Sequence, residues 1–594
     1  MLKLILGRAG FGKSRRIREL IEQTGKDSGG QILIVPEQFS FETERAAAEF
    51  KGKSESFEVL SFSRLCDIVF KTYGGVCTES IDDAGRMIFM SAAAEQLSDK
   101  LTVYKKIMKH PDFIKSMVST VKEFKNCSVS PELLKTVSAV ITDGSLKKRL
   151  SEIALLYEGY DALINKNFSD PLDNISRACT LLDGKDFFRK KTVFIDAFKG
   201  FTEQQLNLIK RIIISADRVY ITLPCDRPGL RDPDIFFSVR KTARQLMKMC
   251  EEQNVAYEQP EILSQNRRHS PVLKAMESVV FAGEEGEIPE NNGCITVYSA
   301  DRKYDEVDFA ASEISRLVRN EGFRYREISV IAKNADEYSS AIETVFSRHG
   351  IPFFLDARRP VSGLPLMLSA KSALEVVLTG YSTEKILSCL KCGIGPLCDE
   401  EIFELEDYCF LWKIERRDWK SPFFKNPRGM EQDFTDSDKQ TLRHLNDLRK
   451  RAVEPFLKLE SELSKAASFK DCCAALFGFF ENGNTAKRLQ KLSESFRLDG
   501  DAETADLNER SWDAFVSALD RIALLCGQNP ADVKSFYSLF SNLLSLLDMG
   551  SAPKGMDQVG VGSAARMRPS APRAVFILGA TTAFSRDSHP RAGF

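Results

Sequence analysis

At 594 residues the chain is too long for one hydrophobic core, and at roughly 150 residues per domain its length predicts about four domains. Its 43% hydrophobic and 28% charged content is that of an ordinary soluble globular protein, and a formal net charge of -1 leaves no overall positive field to draw in a polyanion, so nucleic acid must be met by local basic surface. The apolar run Leu4 to Leu6 is too short for a signal peptide and no window approaches the ~18 apolar residues of a membrane span, which excludes a membrane partner and predicts a cytoplasmic chain.

The first element is the strand "KLILG", which runs into Gly7-Arg8-Ala9-Gly10-Phe11-Gly12-Lys13-Ser14 and then into a helix whose Ile17, Leu20 and Ile21 share a face. The eight residues fit G-x-x-x-x-G-K-[ST] in full, and a strand before and a helix after are the context that motif requires to seat a nucleotide triphosphate. The glycines let backbone N–H groups face the phosphates, Lys13 brings a point charge to the outer phosphates, and the Ser14 hydroxyl is a magnesium ligand. The helix N-terminus adds its own partial positive charge. ATP and Mg2+ are therefore the expected cofactors.

Strands are next expected at "ILIVP" (32–36) and "FEVLSF" (57–62), with helices over "FSFETERAAAEF" (39–50) and from Ser63. The pattern is purely helical from Ile81 to Arg189, and it includes the lysine-rich stretch 104–126, read as a solvated helix face rather than a DNA contact. Strand, helix and strand return as "TVFIDAF" (192–198), "TEQQLNLIKRIII" (202–214) and "RVYITLP" (218–224). A polar, Pro- and Gly-broken linker follows, and a second alternation begins with the strand "CITVYSA" (294–300) and a helix carrying Val307, Ala310, Ile314, Leu317 and Val318 on one stripe. "EISVIAK" and "IPFFLD" precede a helical run over 364–548, and "DQVGVGSA" and "RAVFILGA" restore strand character at 557–564 and 573–580.

This order predicts an α/β protein with two sheet domains, each split by a large helical insertion. The first comprises 1–80 and 190–255 with 81–189 inserted, 256–293 is the linker, and the second, incomplete, comprises 294–362 and 556–594 with 363–555 inserted. That is the layout of UvrD-like helicases built from paired RecA-like P-loop domains.

Hydrolysis needs an acid that holds the magnesium and a neighbouring Glu that orients the attacking water. "VFIDAF" supplies Asp196 at a strand end, but the next residue is Ala197, which has nothing to polarise water. Glu203 starts a helix after Thr202, where a capping role is expected. The seat is thus predicted to bind without a dedicated catalytic carboxylate.

The stretches "VPEQFSFETER", "SFSRL", "FIDAFKGFTEQQ", "SADRKYDEVDFAASEI", "IPFFLDARRP", "LEDYCFLWKIERRDW" and "DQVGVGSAARMRPSAPRAVFILGA", in that order, resemble the AddB component of AddAB-type bacterial helicase-nucleases. The resemblance implies a heterodimer with a translocating AddA-like helicase subunit, processing of double-strand breaks for recombinational repair, and contact with duplex ends and single-stranded DNA. It also implies that Gln38, Phe62, Arg64 and Phe201 belong to a surface that reads a Chi-type signal on the emerging strand. A Gln amide pairs with base edges, phenyl rings stack on unpaired bases and Arg holds guanine or phosphate. Asp67 stands where a further aromatic is expected.

The family's nuclease carboxylates and iron-sulfur cysteines lie in a distal C-terminal domain, so the cluster is expected only in that missing region. "TTAFSRDSHPRAGF" departs from the family after Ala580, as a fragment or frameshifted end would, leaving "AVFILG" as an incompletely covered edge. The fourteen cysteines are scattered and fit free thiols. Cys389, Cys392 and Cys398, with Cys409 beyond, have metal-ligand spacing, but Ile386, Leu387, Leu390 and Ile394 stand at helical spacing in the same stretch, so Cys389 and Cys392 are read as part of a packed helix and the cluster as structural. Two other functions fit the same residues: a working superfamily 1 helicase, and a scaffold whose nucleotide site is structural.

Overall fold

Strand β1 (Leu2–Leu6) buries Leu4, Ile5 and Leu6 on both of its faces, which marks a strand interior to a parallel sheet. The computed structural model describes residues 1–594 apart from 25–29, 38–56, 76–78, 109, 167, 227–234, 265–269, 282–285, 292, 357, 431–433, 546, 551–556, 564–566, 568–571 and 581–594. The chain divides into two units, Met1–Thr296 and Val297–Phe594. Among the described residues no helix is long and apolar enough to cross a membrane.

In the first unit β1 joins β2 (Gln31–Ile34), β3 (Phe57–Leu60), β4 (Thr192–Ile195), β5 (Arg218–Leu223) and β6 (Glu261–Ile262) in a wholly parallel sheet of order β3-β2-β4-β5-β1-β6. Helices pack on it because parallel strands are joined by crossovers, usually helical. The helix Lys13–Thr24 lays Ile17, Leu20 and Ile21 against Ile5, Leu33, Phe194 and Tyr220. The helices Phe62–Tyr73 and Glu203–Ser215 bury Leu65, Val69, Leu206, Ile209 and Ile213 in the larger core cluster, which also takes Leu4 and Leu6. The strand expected over 57–62 stops at Leu60, because Ser61 caps the next helix by accepting the Arg64 N–H.

The stretch expected as linker from 256 first continues this sheet. Glu258 N–H donates to Leu2 O and Leu263 N–H to Leu6 O, so β6 flanks β1 as an edge strand before the chain moves on. Two residues of strand inside a polar, Pro-containing stretch carry too little pattern to be seen in sequence.

Between β3 and β4 the helices Asp83–Gln96, Pro111–Asn126, Pro131–Val140, Gly144–Ile164 and Asn174–Leu182 form the inserted bundle. Two buried polar sites tie it together. The Glu152 carboxylate accepts from Thr102 N–H (2.7 Å), Thr102 Oγ1 (2.6 Å), Val103 N–H (2.9 Å) and Tyr104 N–H (3.1 Å). Lys125 lies 2.6 Å from Asp173 and 3.1 Å from both Asp161 and Asp170, while Arg86 and the Tyr160 hydroxyl also donate to Asp170. Lys115 and Lys122 do stand on a solvated face of Pro111–Asn126, but Lys125 is only 3% exposed, which corrects the expectation for the end of that stretch. Burial alone would favour loss of its proton; the three aspartates raise its pKa instead.

The second unit has a four-stranded parallel sheet of order β12-β7-β11-β8, made of β7 (Ile328–Ala332), β8 (Phe353–Leu355), β11 (Val559–Ser563) and β12 (Ala574–Leu578). The helix Lys303–Glu321 buries Val307, Ala310 and Ile314 as its stripe predicts, and adds Ala311. A two-stranded antiparallel ribbon, β9 (Arg358–Pro360) with β10 (Asp548–Gly550), carries the chain into and out of a second helical block running from Pro365 to Leu544. Among the described residues β12 is an edge strand of this sheet, with Val575 46% and Ile577 56% exposed.

The strand expected at 294–300 does not form. Ile295 has its backbone taken by a side chain: its N–H donates to Asn291 Oδ1 and its carbonyl accepts from Asn291 Nδ2. Tyr298 stacks on Phe309 at 3.8 Å, and Val297 is 90% exposed. Alternation alone does not make a strand when no neighbouring ladder accepts it.

Candidate functional site

The phosphate-loop motif begins where β1 ends, at the carboxyl edge of the first sheet. In chain order β2 follows β1 but lies beyond β4 and β5, whereas β6 lies on the other side of β1, so the strand order changes direction here. Such a switch opens a crevice at strand ends. The loop needs its glycines: Gly10 and Gly12 have φ of 77° and 85°, in the left-handed region that side chains resist, and nothing lies within 4 Å of where a Cβ on Gly12 would stand. A Cβ on Gly7 would instead sit 3.2 Å from the Leu263 and Phe11 Cβ atoms.

Lys13 opens the helix Lys13–Thr24, and its ammonium donates to Gly7 O (2.7 Å) and Arg8 O (2.9 Å), folded across the loop it serves. Ser14 is half-buried beside it, and Ala9 and Gly10 are exposed. Arg8 behaves differently from its neighbours. Its side chain is buried, 3.5 Å from Asp226 and over the Phe236 ring at 5.3 Å, with Arg240 also 3.7 Å from Asp226. The Arg8 guanidinium therefore anchors the loop to the chain after β5.

Asp196 follows β4, with one strand, β5, between it and the loop strand. Its carboxylate is buried and accepts from the Thr222 hydroxyl at 2.5 Å. Thr222 is the one aliphatic hydroxyl in the run of β5 and pairs in register with Ile5 of β1, so it links the acid's strand to the loop's strand. A lone Thr within "VYITL" was the available signal. Ala197 turns the chain with φ of 67°, and Glu203 lies in the first turn of its helix, where Thr202 and Gln205, rather than Glu203, form the capping box.

A family model for the N-terminal part of ADDB matches residues 4–277. Over 593 residues the chain is 30% identical to the B subunit of the ATP-dependent helicase/deoxyribonuclease of Thermoanaerobacter sp. (strain X514), taking in 98% of this chain and 51% of that protein. Proteins of the same name from Caldanaerobacter subterraneus subsp. tengcongensis and Clostridium botulinum (strain Hall) are 29% and 27% identical, over 98% and 97% of this chain and 51% and 52% of theirs. Residues 4–277 are thus similar to the N-terminal part of the AddB family, and the chain along nearly its whole length to the B subunits of such helicase/deoxyribonucleases. It spans about half the length of the curated relatives it matches.

Of the residues that resemblance to AddB implies for strand reading, Gln38 lies outside the described residues. Phe62 is 5% exposed, with Phe198 5.3 Å and Phe201 6.4 Å away ring to ring. Phe201 is half-buried, and Phe198 lies 5.2 Å from it. The three rings form one cluster in which Phe62 is the floor and Phe201 the accessible member. Arg64 and Asp67 are both exposed, one turn apart on Phe62–Tyr73. Cys389 is buried 3.2 Å from Ser369 Oγ, and burial pushes its thiol up to about 12. The Cys392 thiol donates to Ser388 O, and Cys398 is exposed before the helix Asp399–Trp412. Among the described residues no three His, Cys, Asp or Glu side chains converge as a metal site would require.

Proposed function

We propose that this chain is the AddB component of a heterodimeric ATP-dependent helicase-exonuclease that processes double-strand breaks for recombinational repair, and that it binds ATP and reads a single strand without being the motor. The relatives' name, which makes each of them the B subunit of a helicase/deoxyribonuclease, supports assembly with a second, helicase subunit and a DNA substrate. The two parallel sheets with their helical blocks fit a pair of RecA-like domains of the UvrD-like plan.

One observation carries the non-motor part: an intact phosphate loop with a buried Asp196 two strands away in the same sheet, and Ala197 where a water-orienting carboxylate is needed. The residues fit the nucleotide. The backbone from Gly7 to Ser14 would hold the phosphates, Lys13 would leave the Gly7 and Arg8 carbonyls for the outer phosphates, and Ser14 with Asp196 would hold Mg2+. The ion would supply charge neutralisation, and no side chain on Ala197 prepares water for attack. Arg64 is exposed, and Phe201 is half-exposed beside the buried Phe62 ring, on the surface proposed to read the strand.

The test is nucleotide binding against turnover in the full chain. Mg-ATP binding is expected, Lys13→Ala is expected to abolish it, and phosphate release with saturating single strand is expected below about 0.1 per second, roughly a hundredth of a typical turnover number. Fast, strand-stimulated release that Lys13→Ala removes would overturn the reading in favour of a working helicase.

A further inference from the structure

We propose that residues 410–425 of the second unit form an additional contact surface for single-stranded nucleic acid, separate from the surface around Arg64. The proposal shares only its ligand class with the function above and requires no nucleotide. Its segment falls within "LEDYCFLWKIERRDW" and the residues just after, a stretch that the nucleotide site does not use.

The helix Asp399–Trp412 ends at Lys413, whose φ of 49° turns the chain out of it, and Arg416, also at 49°, starts the short 3-10 turn Arg416–Lys420. The loop beyond is pinned at several points. Trp419 is fully buried with its indole N–H on Thr383 Oγ1 (2.8 Å), and the Phe423 N–H donates to Asn446 Oδ1 (2.7 Å). The Tyr408 hydroxyl bonds both the N–H and the carbonyl of Lys425 at 3.1 Å, and the Trp412 indole donates to Asn426 O (2.9 Å). A loop held this firmly is pre-organised, so whatever it exposes is presented at little ordering cost.

What it exposes is aromatic and basic. Phe410 is 66% and Phe424 79% exposed, while Cys409 and Phe423 beside them in sequence are buried. Residues 413–428 carry six Lys and Arg against two acids in a chain of net charge -1. Lys420 is paired with Glu460 and Arg428 with Asp438. Lys413, Arg416, Arg417 and Lys425 make no ion pair among the described residues, and Lys425 lies over the Trp412 ring at 4.8 Å. A cavity of about 390 Å³ opens between Thr383, Leu387, Lys391 and Glu406, with Phe410 and Lys413 on its rim. Cations without an ion pair, flanked in the chain by the uncovered rings of Phe410 and Phe424, offer a strand both phosphate contacts and stacking faces. The acidic first half of the helix, from Asp399 to Asp407, sets the limit of the surface, because its carboxylates repel phosphate.

The test is anisotropy of a fluorescein-labelled oligothymidylate titrated with the full chain at several salt concentrations. Phe410→Ala with Phe424→Ala is expected to weaken binding at least tenfold with an unchanged salt slope, and Tyr at both positions to restore it. Arg416→Ala with Arg417→Ala is expected to lower the slope of log K against log salt by about 1.4, two phosphates at ~0.7 each. Thermal melts matching the parent verify folding, which these exposed positions favour. Binding and slope unchanged in both pairs would overturn the proposal and leave the patch to a protein partner. If Arg64→Ala then weakens binding, the strand-reading function survives that failure, and a parent chain that binds no oligothymidylate overturns both.

Discussion

Replacing Thr222 by Val tests whether the contact between β5 and Asp196 serves the nucleotide seat. The substitution keeps the branched shape of a fully buried side chain and removes only the hydroxyl that donates to Asp196 at 2.5 Å. A hydrogen bond to an ionised acceptor contributes about 1.5–3 kcal/mol, and removing its donor strands the buried partner. A loss of about 2 kcal/mol corresponds to a fall of roughly 3 °C in the melting of a unit this size. The second readout is nucleotide affinity with and without Mg2+. Thr222→Val is expected to weaken the Mg-dependent part, because the carboxylate proposed to hold the ion is no longer oriented, while Thr222→Ser retains it. Scanning calorimetry and fluorescent-nucleotide titration measure the two quantities. Melting and Mg-dependence both unchanged in Thr222→Val would refute the role given to this hydroxyl.

Two pH-dependent predictions concern the inserted bundle of the first unit. Burial opposes ionisation of Glu152, but the Thr102 hydroxyl and the Val103, Thr102 and Tyr104 amides outweigh it and lower its pKa. A depressed acid stabilises the fold above its unfolded pKa, and that contribution disappears as pH falls through the folded value. Glu152→Gln should therefore lower the melting temperature at pH 7 and converge with the parent in acid, as pH-dependent circular dichroism would show. Asp161 has the opposite sign: burial, beyond what Lys125 returns, raises its carboxyl to about 6. Its charge costs stability above that pH, so in the same melts Asp161→Asn should unfold at a higher temperature than the parent at pH 8 and at an equal one below about pH 4.

The turn between β1 and the helix Lys13–Thr24 was legible because its glycines and spacing fix the backbone there, and the position of Asp196 because it closes an apolar strand. Ile17, Leu20 and Ile21, and Val307, Ala310 and Ile314, were legible from helical period alone. What local pattern does not carry is pairing across long separations. Nothing near Arg8 announces Asp226, Lys125 reads as one more surface lysine until Asp161, Asp170 and Asp173 close around it, and Thr222 gains meaning only beside β4. The missing strand at 294–300 fails for the same reason, since a ladder needs a neighbour and Asn291 had already taken the backbone of Ile295.

The β9–β10 ribbon has a consequence for how the second unit changes over time and under stress. Since the chain departs and returns through adjacent residues, the closure cost of everything between them rises only with the logarithm of its length. Helices can be gained, lost or exchanged there without moving a strand of the sheet. The same narrow neck lets the helical block open and close as a cooperative piece of its own, so hydrogen exchange should resolve it from the β7 core as a distinct unit of protection.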